Sequence, residues 1–68
     1  MNFRRWQVVF PLDPPYTHEG VVVSEYRPKI AAWTWEQAVL KAAALAPEVI
    51  AGRVLESVRA STYTVETL

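Results

Sequence analysis

His18 and the carboxylates near it come closest in this sequence to a catalytic arrangement. Glu19 follows His18 directly, and Asp13 lies a little upstream. A histidine paired with a carboxylate can accept and donate a proton during catalysis. Such a pair needs a concave site that partly excludes water, and a chain of 68 residues can rarely enclose one alone. We therefore interpret His18 as a solvated loop residue and expect no enzymatic activity.

Two short basic clusters suggest a different chemistry, contact with the phosphates of a nucleic acid. Arg4 and Arg5 precede a tryptophan, and Arg27 and Lys29 flank a proline. Nearby aromatic side chains could stack on the bases of a single strand. However, 7 basic and 7 acidic residues cancel, whereas a nucleic-acid-binding domain is usually basic. A small nucleic-acid-binding domain is therefore the alternative function, and the simpler interpretation is that these residues are solvated strand ends that protect an edge.

Two tryptophans are candidates for contact with another protein. Trp33 and Trp35 flank Thr34 and should point in different directions, because one is extended and the other begins a helix. One of them can enter the core, and burying both is difficult. We expect the other near the surface, where tryptophan is a typical interface anchor. Alternatively, it attaches the helix to the preceding strand.

Segment 12–20 is predicted to be a loop and is the second candidate contact. Its adjacent prolines, Pro14 and Pro15, reduce the entropy lost when a loop binds a partner. Tyr16 follows them and offers a large contact area with a polar tip. Equally, Tyr16 could fold back and cover the open end of the core. The predicted partner-binding residues are Tyr16, His18, Arg27, Trp33 and Trp35.

One helix is predicted with a defined start and stop. Thr34 can accept a hydrogen bond from the Gln37 amide, and the Gln37 side chain can reach back to the Thr34 amide, which is the pattern of a capping box. Strong helix formers follow, and Pro47 disfavours helical dihedral angles in the residue before it. We therefore predict a helix from Trp35 to about Ala46.

Two strands are predicted before this helix. Alternating side chains indicate a strand over 3–10, and Pro11 ends its pairing because proline has no amide hydrogen. A second strand begins at Val21 and continues through Tyr26 towards Ala32. Pro28 interrupts it, which suggests an edge strand with a bulge or bend at this point.

The segment after Pro47 is compatible with either a helix or a strand. Apolar residues every four positions fit a second helix that begins at the proline. Gly52 in its middle would cost about 1 kcal/mol in a helix, and its valines also suit a strand. We favour a short turn followed by a strand over 53–59, with 62–65 as a possible fourth strand.

These elements predict a single α+β domain over residues 1–68, in the order β-β-α-β. The sheet has three or four strands, antiparallel or mixed, and one helix packs on one of its faces. A right-handed crossover makes the third strand parallel to the second, with the first strand between them. The residues expected to be buried between helix and sheet are Trp6, Val8, Phe10, Ala38, Val39, Ala42, Leu45, Val54 and Val58.

Composition narrows the chemistry and the compartment. The chain has no cysteine and one histidine, so we expect neither a metal nor another cofactor. No apolar run approaches the roughly 20 residues that span a bilayer, and no apolar signal-peptide segment follows the basic start. We therefore expect a cytoplasmic protein. A core this small also favours a homodimer, formed through a strand edge or the uncovered sheet face.

Segments 32–39, 46–49 and 53–59 together resemble small β-β-α-β proteins found among the accessory genes of bacteriophages. The high content of Ala, Val and Trp, with Arg preferred over Lys, resembles phages of actinobacterial hosts. The resemblance implies a non-enzymatic protein-interaction module that binds and modulates a host protein. It assigns no functional residue. A structural homo-oligomeric subunit is the third hypothesis, beside the nucleic-acid-binding domain.

Overall fold

A computed structural model describes residues 3–68 of the chain. Within these residues the chain forms a four-stranded sheet and two helices, which is the predicted α+β class. The elements in chain order are β1 (Arg4–His18), β2 (Val21–Tyr26), β3 (Lys29–Ala32), α1 (Trp35–Ala44), α2 (Glu48–Ala60) and β4 (Thr64–Thr67).

The long strand β1 organises the whole sheet. Its first half pairs with β3 on one side and with β4 on the other, and its second half pairs with β2. All of these pairings are antiparallel, so β4 runs parallel to β2 and β3 on the other side of β1. This is the predicted arrangement, although the strand that completes it is β4 and not segment 53–59. β1 lies between its neighbours, as expected for the first strand. The possible fourth strand is confirmed as β4, which runs beside residues 6–9 of β1.

β2 and β3 are two parts of one edge strand. Phe10 of β1 lies opposite Tyr26 of β2, and Gln7 lies opposite Lys29 of β3. The two pairs are three residues apart along β1 and also three residues apart along the edge strand. The register is therefore unchanged across the interruption at Pro28, which confirms the predicted irregular edge strand. The Gln7 Nε2 atom donates to the carbonyls of residues 27 and 28 at 2.8 and 3.2 Å, so the side chain satisfies backbone groups at this break.

β1 continues well past the proline that was expected to end it. The predicted loop over 12–20 is wrong, because β1 extends to His18 and a tight turn leads into β2. Glu19 and Gly20 occupy this turn with φ angles of +50° and +80°, as two-residue hairpin turns require. The register shifts between Pro11 and Tyr16, which places the extra proline-rich residues in a bulge rather than in a loop.

The start of α1 follows the predicted capping chemistry with one change. The Thr34 hydroxyl accepts a hydrogen bond from the Gln37 amide at 3.2 Å. The Gln37 side chain accepts one at 3.1 Å from the amide of Trp33, not from that of Thr34. The helix ends at Ala44, and Leu45 is its C-cap with 69% of its surface exposed. Leu45 is therefore wrongly placed in the predicted core, because the helix has already ended where its side chain turns outward.

Residues 48–60 form a second helix, so the favoured strand over 53–59 is wrong. Ile50, Val54 and Ser57 lie on one buried stripe of α2. This spacing of three and four residues is the helical pattern, and its burial outweighs the propensity cost of Gly52, which lies on the exposed side. Two helices, rather than the single one expected, therefore cover the sheet.

Both helices pack on the same face of the sheet. The buried residues of β1, which include Val8 and Phe10, face the helices, and their neighbours Gln7 and Pro11 lie on the opposite face, which we call the outer face. Trp6 and Val58 are only partly buried against the core. The fully buried cluster comprises Val8, Phe10, Leu12, Ile30, Ala32, Ala38, Val39, Ala42, Ile50 and Val54.

Candidate protein-interaction surface

The second half of the β1–β2 pair projects beyond the helices as a two-stranded arm. We call residues 13–25 the β-arm and the rest of the chain the body. Tyr16, Thr17 and His18 pair with residues 23, 22 and 21 of β2, and no third strand runs beside them in the described part of the chain. The molecule measures 43 × 22 × 17 Å. Its long axis matches the roughly 3.3 Å per residue of an extended strand the length of β1, so the β-arm lies at one end of this axis.

Three consecutive valines on the β-arm are exposed. Val21, Val22 and Val23 expose 62%, 63% and 36% of their surface. Since successive strand residues point to opposite faces, both faces of the β-arm carry an exposed valine. A two-stranded hairpin is at best marginally stable in water without packing on a third layer. The β-arm is therefore a part of this fold that would gain stability from being covered.

Tyr16 and His18 lie side by side on one face of the β-arm. Their rings stack at 6.1 Å between centroids and 11° between planes, and the Tyr16 hydroxyl is 3.5 Å from His18 Nδ1. Tyr16 is half-buried and also touches the core cluster, so it partly covers the core as well as lining the arm. The His18 Nε2 atom is 3.9 Å from a Glu19 carboxylate oxygen, and both side chains are largely exposed. This pair therefore lacks the water exclusion that acid–base catalysis needs.

Trp33 and Trp35 lie at the start of α1, far along the body from the tip of the β-arm, and both are about equally exposed. Neither tryptophan enters the core, so both lie near the surface and not only one of them. Trp33 packs edge-on against Phe3 at 4.8 Å. The Lys41 Nζ atom lies 5.1 Å from the centre of the same Phe3 ring and donates to the carbonyl of Ala31 at 3.0 Å. Trp33 therefore attaches β3 to the beginning of β1 and to α1.

Trp35 borders a shallow apolar groove between the two helices. The groove has a volume of about 200 Å³. Besides Trp35, its apolar walls are formed by Val39, Leu40, Val58 and Tyr63. It is large enough for one or two apolar side chains and too shallow to enclose a substrate.

The five predicted partner-binding residues do not form one site. Tyr16 and His18 belong to the β-arm, whereas the two tryptophans belong to the body. Arg27 lies between them at the interruption of the edge strand, where its guanidinium is 3.3 Å from the Glu25 carboxylate. Sequence reasoning missed the exposed valines of β2. Their lack of polar alternation was visible in the sequence, although it equally fitted a fully buried strand.

The basic residues are also divided by the fold. Arg5 and Lys29 lie opposite Ala31 and Gln7 in adjacent strands, so both belong to the outer face. Arg4 precedes Arg5 and therefore alternates to the opposite face of β1, and Arg27 forms an ion pair with Glu25. The four basic residues of the two sequence clusters therefore do not form one continuous basic surface.

Charge is distributed unequally between the β-arm and the body. The β-arm carries Asp13, Glu19 and Glu25 and no Lys or Arg. The body carries all seven Lys and Arg residues and the other four of the seven carboxylates. With the histidine neutral, the side chains of the arm carry a formal charge of −3 and those of the body +3. A chain of zero net charge is thus a strongly polarised molecule.

Tyr26 anchors the root of the β-arm to the first helix. Its hydroxyl donates to the carbonyl of Ala42 at 3.1 Å, and its ring stacks on Phe10 at 5.7 Å. Burial raises the pKa of the Tyr26 hydroxyl above its usual value of 10.0, because a phenolate would be poorly solvated there. This contact fixes the base of the arm and leaves its tip free.

Neither a metal centre nor a bilayer-spanning helix is found in residues 3–68. No three His, Asp or Glu side chains of this part of the chain gather closely enough to hold a metal ion. Neither helix combines the length and the apolar character needed to cross a membrane. Comparison with protein-family models, with curated proteins and with solved structures finds no match.

Proposed function

We propose that this chain is a non-enzymatic protein-interaction module and that the β-arm is its binding element. The observation that carries the proposal is the exposure of three consecutive valines, Val21 to Val23, on a hairpin that the body does not cover. Clustered exposed apolar side chains often mark a binding surface, and here they lie on both faces of one thin hairpin. The sequence resemblance to phage accessory proteins adds a host protein as the expected partner and the cytoplasm as the expected compartment.

The chemistry of the β-arm defines what it should recognise. Its valines and the stacked Tyr16 and His18 rings supply apolar contact. Its three carboxylates favour a partner surface that is positively charged, since complementary potentials steer association and select the partner. We therefore expect an apolar surface bordered by lysine or arginine.

A nucleic-acid partner is supported less well. Single-stranded nucleic acid needs a continuous basic groove with aromatic platforms. Here Arg27 is paired with Glu25, and an arm of charge −3 projects from the body and would repel phosphates. Binding of an oligonucleotide with a steep salt dependence would nevertheless favour this alternative.

The proposal is tested by making the arm polar without changing its β propensity. The double variant Val21→Thr/Val22→Thr keeps two β-branched residues in the strand and removes apolar contact area. Val49→Thr is the matched control, because Val49 is similarly exposed, at 59%, but lies on α2. Each protein is used to capture partners from a lysate of a bacterial host, and a captured partner is purified and its Kd measured.

We expect the arm variant to weaken binding of that partner at least tenfold, while the control binds like the original chain. Thermal unfolding of all three proteins should be similar, because the substituted side chains are exposed. If the arm variant captures and binds the same partner with unchanged affinity, the β-arm is not the binding element and the proposal fails.

A further inference from the structure

We propose that the surface that receives the β-arm is the body of a second copy of this chain, so that two copies associate face to face with their long axes antiparallel. The inference rests on the proposed function, because it takes the β-arm to be the binding element. It goes further by naming a second copy, in place of the host protein that the resemblance implies, as the partner of the β-arm, and by giving the arrangement. The homodimer then forms through the outer faces of two sheets.

The unequal charge distribution is the first argument. An arm of −3 forms one end of a molecule that is 43 Å long, and a body of +3 forms the rest. The body end of β1 carries Arg4 and Arg5, and the arm end carries Glu19. Antiparallel association therefore places each acidic arm beside the basic end of the other copy. A two-fold axis repeats this contact twice and closes the assembly at two copies.

Particular charges on the outer face fit such an axis. Lys29 lies opposite Gln7 of β1, and Glu25 lies opposite Pro11. Consider a two-fold axis that lies between the two facing sheets, perpendicular to the strands, and passes close to Val9. It exchanges these two positions, since Val9 lies midway between residues 7 and 11. Glu25 of each copy then meets Lys29 of the other. Two further charges fit this axis less well. Glu66 lies opposite Gln7 from the β4 side, and Arg27, midway between Glu25 and Lys29, comes close to its own copy at the axis, where its contact with Glu25 at 3.3 Å offsets part of the repulsion. The match is therefore between whole regions and not perfect at every position.

The prolines of β1 disfavour the other route to a dimer, the addition of a strand at an open edge. The Val8 amide donates to a carbonyl on the β3 side, and the Arg5 carbonyl accepts from the amide of Leu68 on the β4 side. Backbone groups of successive residues in a strand point alternately to its two sides, so those of residue 11 point to the β4 side. β4 pairs only with residues 6–9 of β1, and residue 11 is a proline, which has no amide hydrogen to donate. Prolines also occupy positions 14 and 15. These prolines make the open side of β1 a poor site for strand addition. No strand pairs with the far sides of β2 and β4 in residues 3–68, and the charge match described above favours the outer face over these two edges.

The dimer also covers some of the exposed valines. By alternation along β2, Val21 and Val23 lie on the same face as Glu25, the outer face, so both can be buried against the body of the second copy, whereas Val22 lies on the other face. The helix-free outer face offers a flat surface for this contact. Self-association through these surfaces therefore combines apolar burial with opposite charges.

A charge exchange within one chain tests this arrangement. The variants are Glu25→Lys, Lys29→Glu and the double variant Glu25→Lys/Lys29→Glu, with Glu56→Lys as the control. Glu56 and Glu25 are matched, because each lies in an exposed ion pair with an arginine, at 3.9 and 3.3 Å. Sedimentation equilibrium over a wide dilution series, at low and high salt, gives the mass and the dimer Kd of each protein.

We expect about twice the monomer mass of 7.7 kDa at micromolar concentration. Each single reversal should raise the dimer Kd at least tenfold, and the double variant should return it to within about threefold, since exchanged charges attract again. The control should behave like the original chain, and added salt should weaken the dimer because it screens exposed charges. Rescue by the double variant cannot come from an unfolded chain, so it separates charge pairing from loss of structure.

Three results would overturn the inference: a monomer mass at every concentration, a dimer that the single reversals leave unchanged, or no rescue in the double variant. A monomer that still captures another protein through its valines would refute only the second-copy partner. If neither the valine substitutions nor the Glu25 reversal weakens binding in its own assay, the proposed function is refuted as well. The two proposals can therefore fail separately.

Discussion

Replacing Tyr26 with phenylalanine should destabilise the fold by about 1 kcal/mol at neutral pH. The substitution keeps the ring that stacks on Phe10 at 5.7 Å and removes only the hydroxyl. This hydroxyl donates to the Ala42 carbonyl at 3.1 Å. An intramolecular hydrogen bond of this kind contributes about 0.5–1.5 kcal/mol net. Because no cavity is created, the lost bond is the main expected effect.

The loss should be easy to measure in a chain of this length. For a domain of 60–100 residues, 1 kcal/mol corresponds to a change of about 4–8 °C in Tm. Thermal and urea unfolding followed by circular dichroism would give both quantities. Tyr63→Phe is a suitable control, because Tyr63 also contacts Phe10, at 6.0 Å between ring centroids, and is likewise only partly buried.

The same residue predicts the response to alkaline pH. The folded-state pKa of Tyr26 is raised by burial, so the protonated hydroxyl is favoured in the folded chain. Its contribution is fully present below the unfolded pKa of about 10 and is lost as the pH rises through the folded pKa. The original chain should therefore lose more stability above pH 10 than Tyr26→Phe does, and the difference between the two should shrink.

Two outcomes would refute this reasoning about Tyr26. An unchanged Tm in Tyr26→Phe would mean that its hydroxyl is equally well bound to water in the folded chain. A stability difference from the original chain that stays constant from pH 8 to pH 11 would mean that burial does not disfavour the phenolate. Tyr63→Phe should show neither effect.

Three further predictions concern the helices and the turn of the arm. Leu45→Ala should change the free energy of unfolding by less than about 0.5 kcal/mol, because Leu45 is 69% exposed. Val54→Ala should cost about 2 kcal/mol or more, because Val54 is fully buried. Urea titrations that rank the two variants in the opposite order would show that the core is assigned wrongly. Thr34→Ala should cost about 1 kcal/mol through loss of the cap to the Gln37 amide, and Thr34→Ser should restore most of it. Gly20→Ala should strain a turn with φ at +80° by about 1 kcal/mol, and proteolysis should show this at the arm without a comparable loss of buried-core protection.

The first helix could be predicted from sequence because its signals are local. The Thr34 cap and the alanine-rich run after it depend on neighbours within one or two turns. The second helix was missed for the opposite reason. The sequence of α2 fits both a helix and a strand. What decides between them is the burial of Ile50 and Val54 against β1, which is a contact between distant parts of the chain.

The β-arm was missed because prolines were taken as the end of a strand. Pro11 does lack the donor that a central strand needs. However, it lies on the side of β1 where no neighbouring strand continues, so its missing amide costs no pairing. The edge strand broken at Pro28 was predicted correctly, since a proline that interrupts an apolar run usually indicates an edge. Whether a proline ends or merely borders a strand depends on the neighbouring strands, which the local sequence does not determine.

The candidate site could be predicted only in its residue types. Tyr16 and His18 do lie together on the arm, but their separation from the tryptophans follows from the length of β1. The charge division, in contrast, is present in the sequence as a stretch without any lysine or arginine. It becomes interpretable only when the fold shows that this stretch forms one end of the molecule.

Different parts of β1 have different numbers of neighbouring strands, so some parts of this strand should open more easily than others. Trp6 and Gln7 have strands on both sides, whereas Tyr16 to His18 have a neighbour on one side only. Local opening is easiest where backbone hydrogen bonds are exposed and few apolar contacts hold them. Amide hydrogen exchange should therefore accelerate from the middle of the body towards the turn of the hairpin. The same strand then combines a persistent scaffold with a tip that can open or bend without unfolding the rest of the chain.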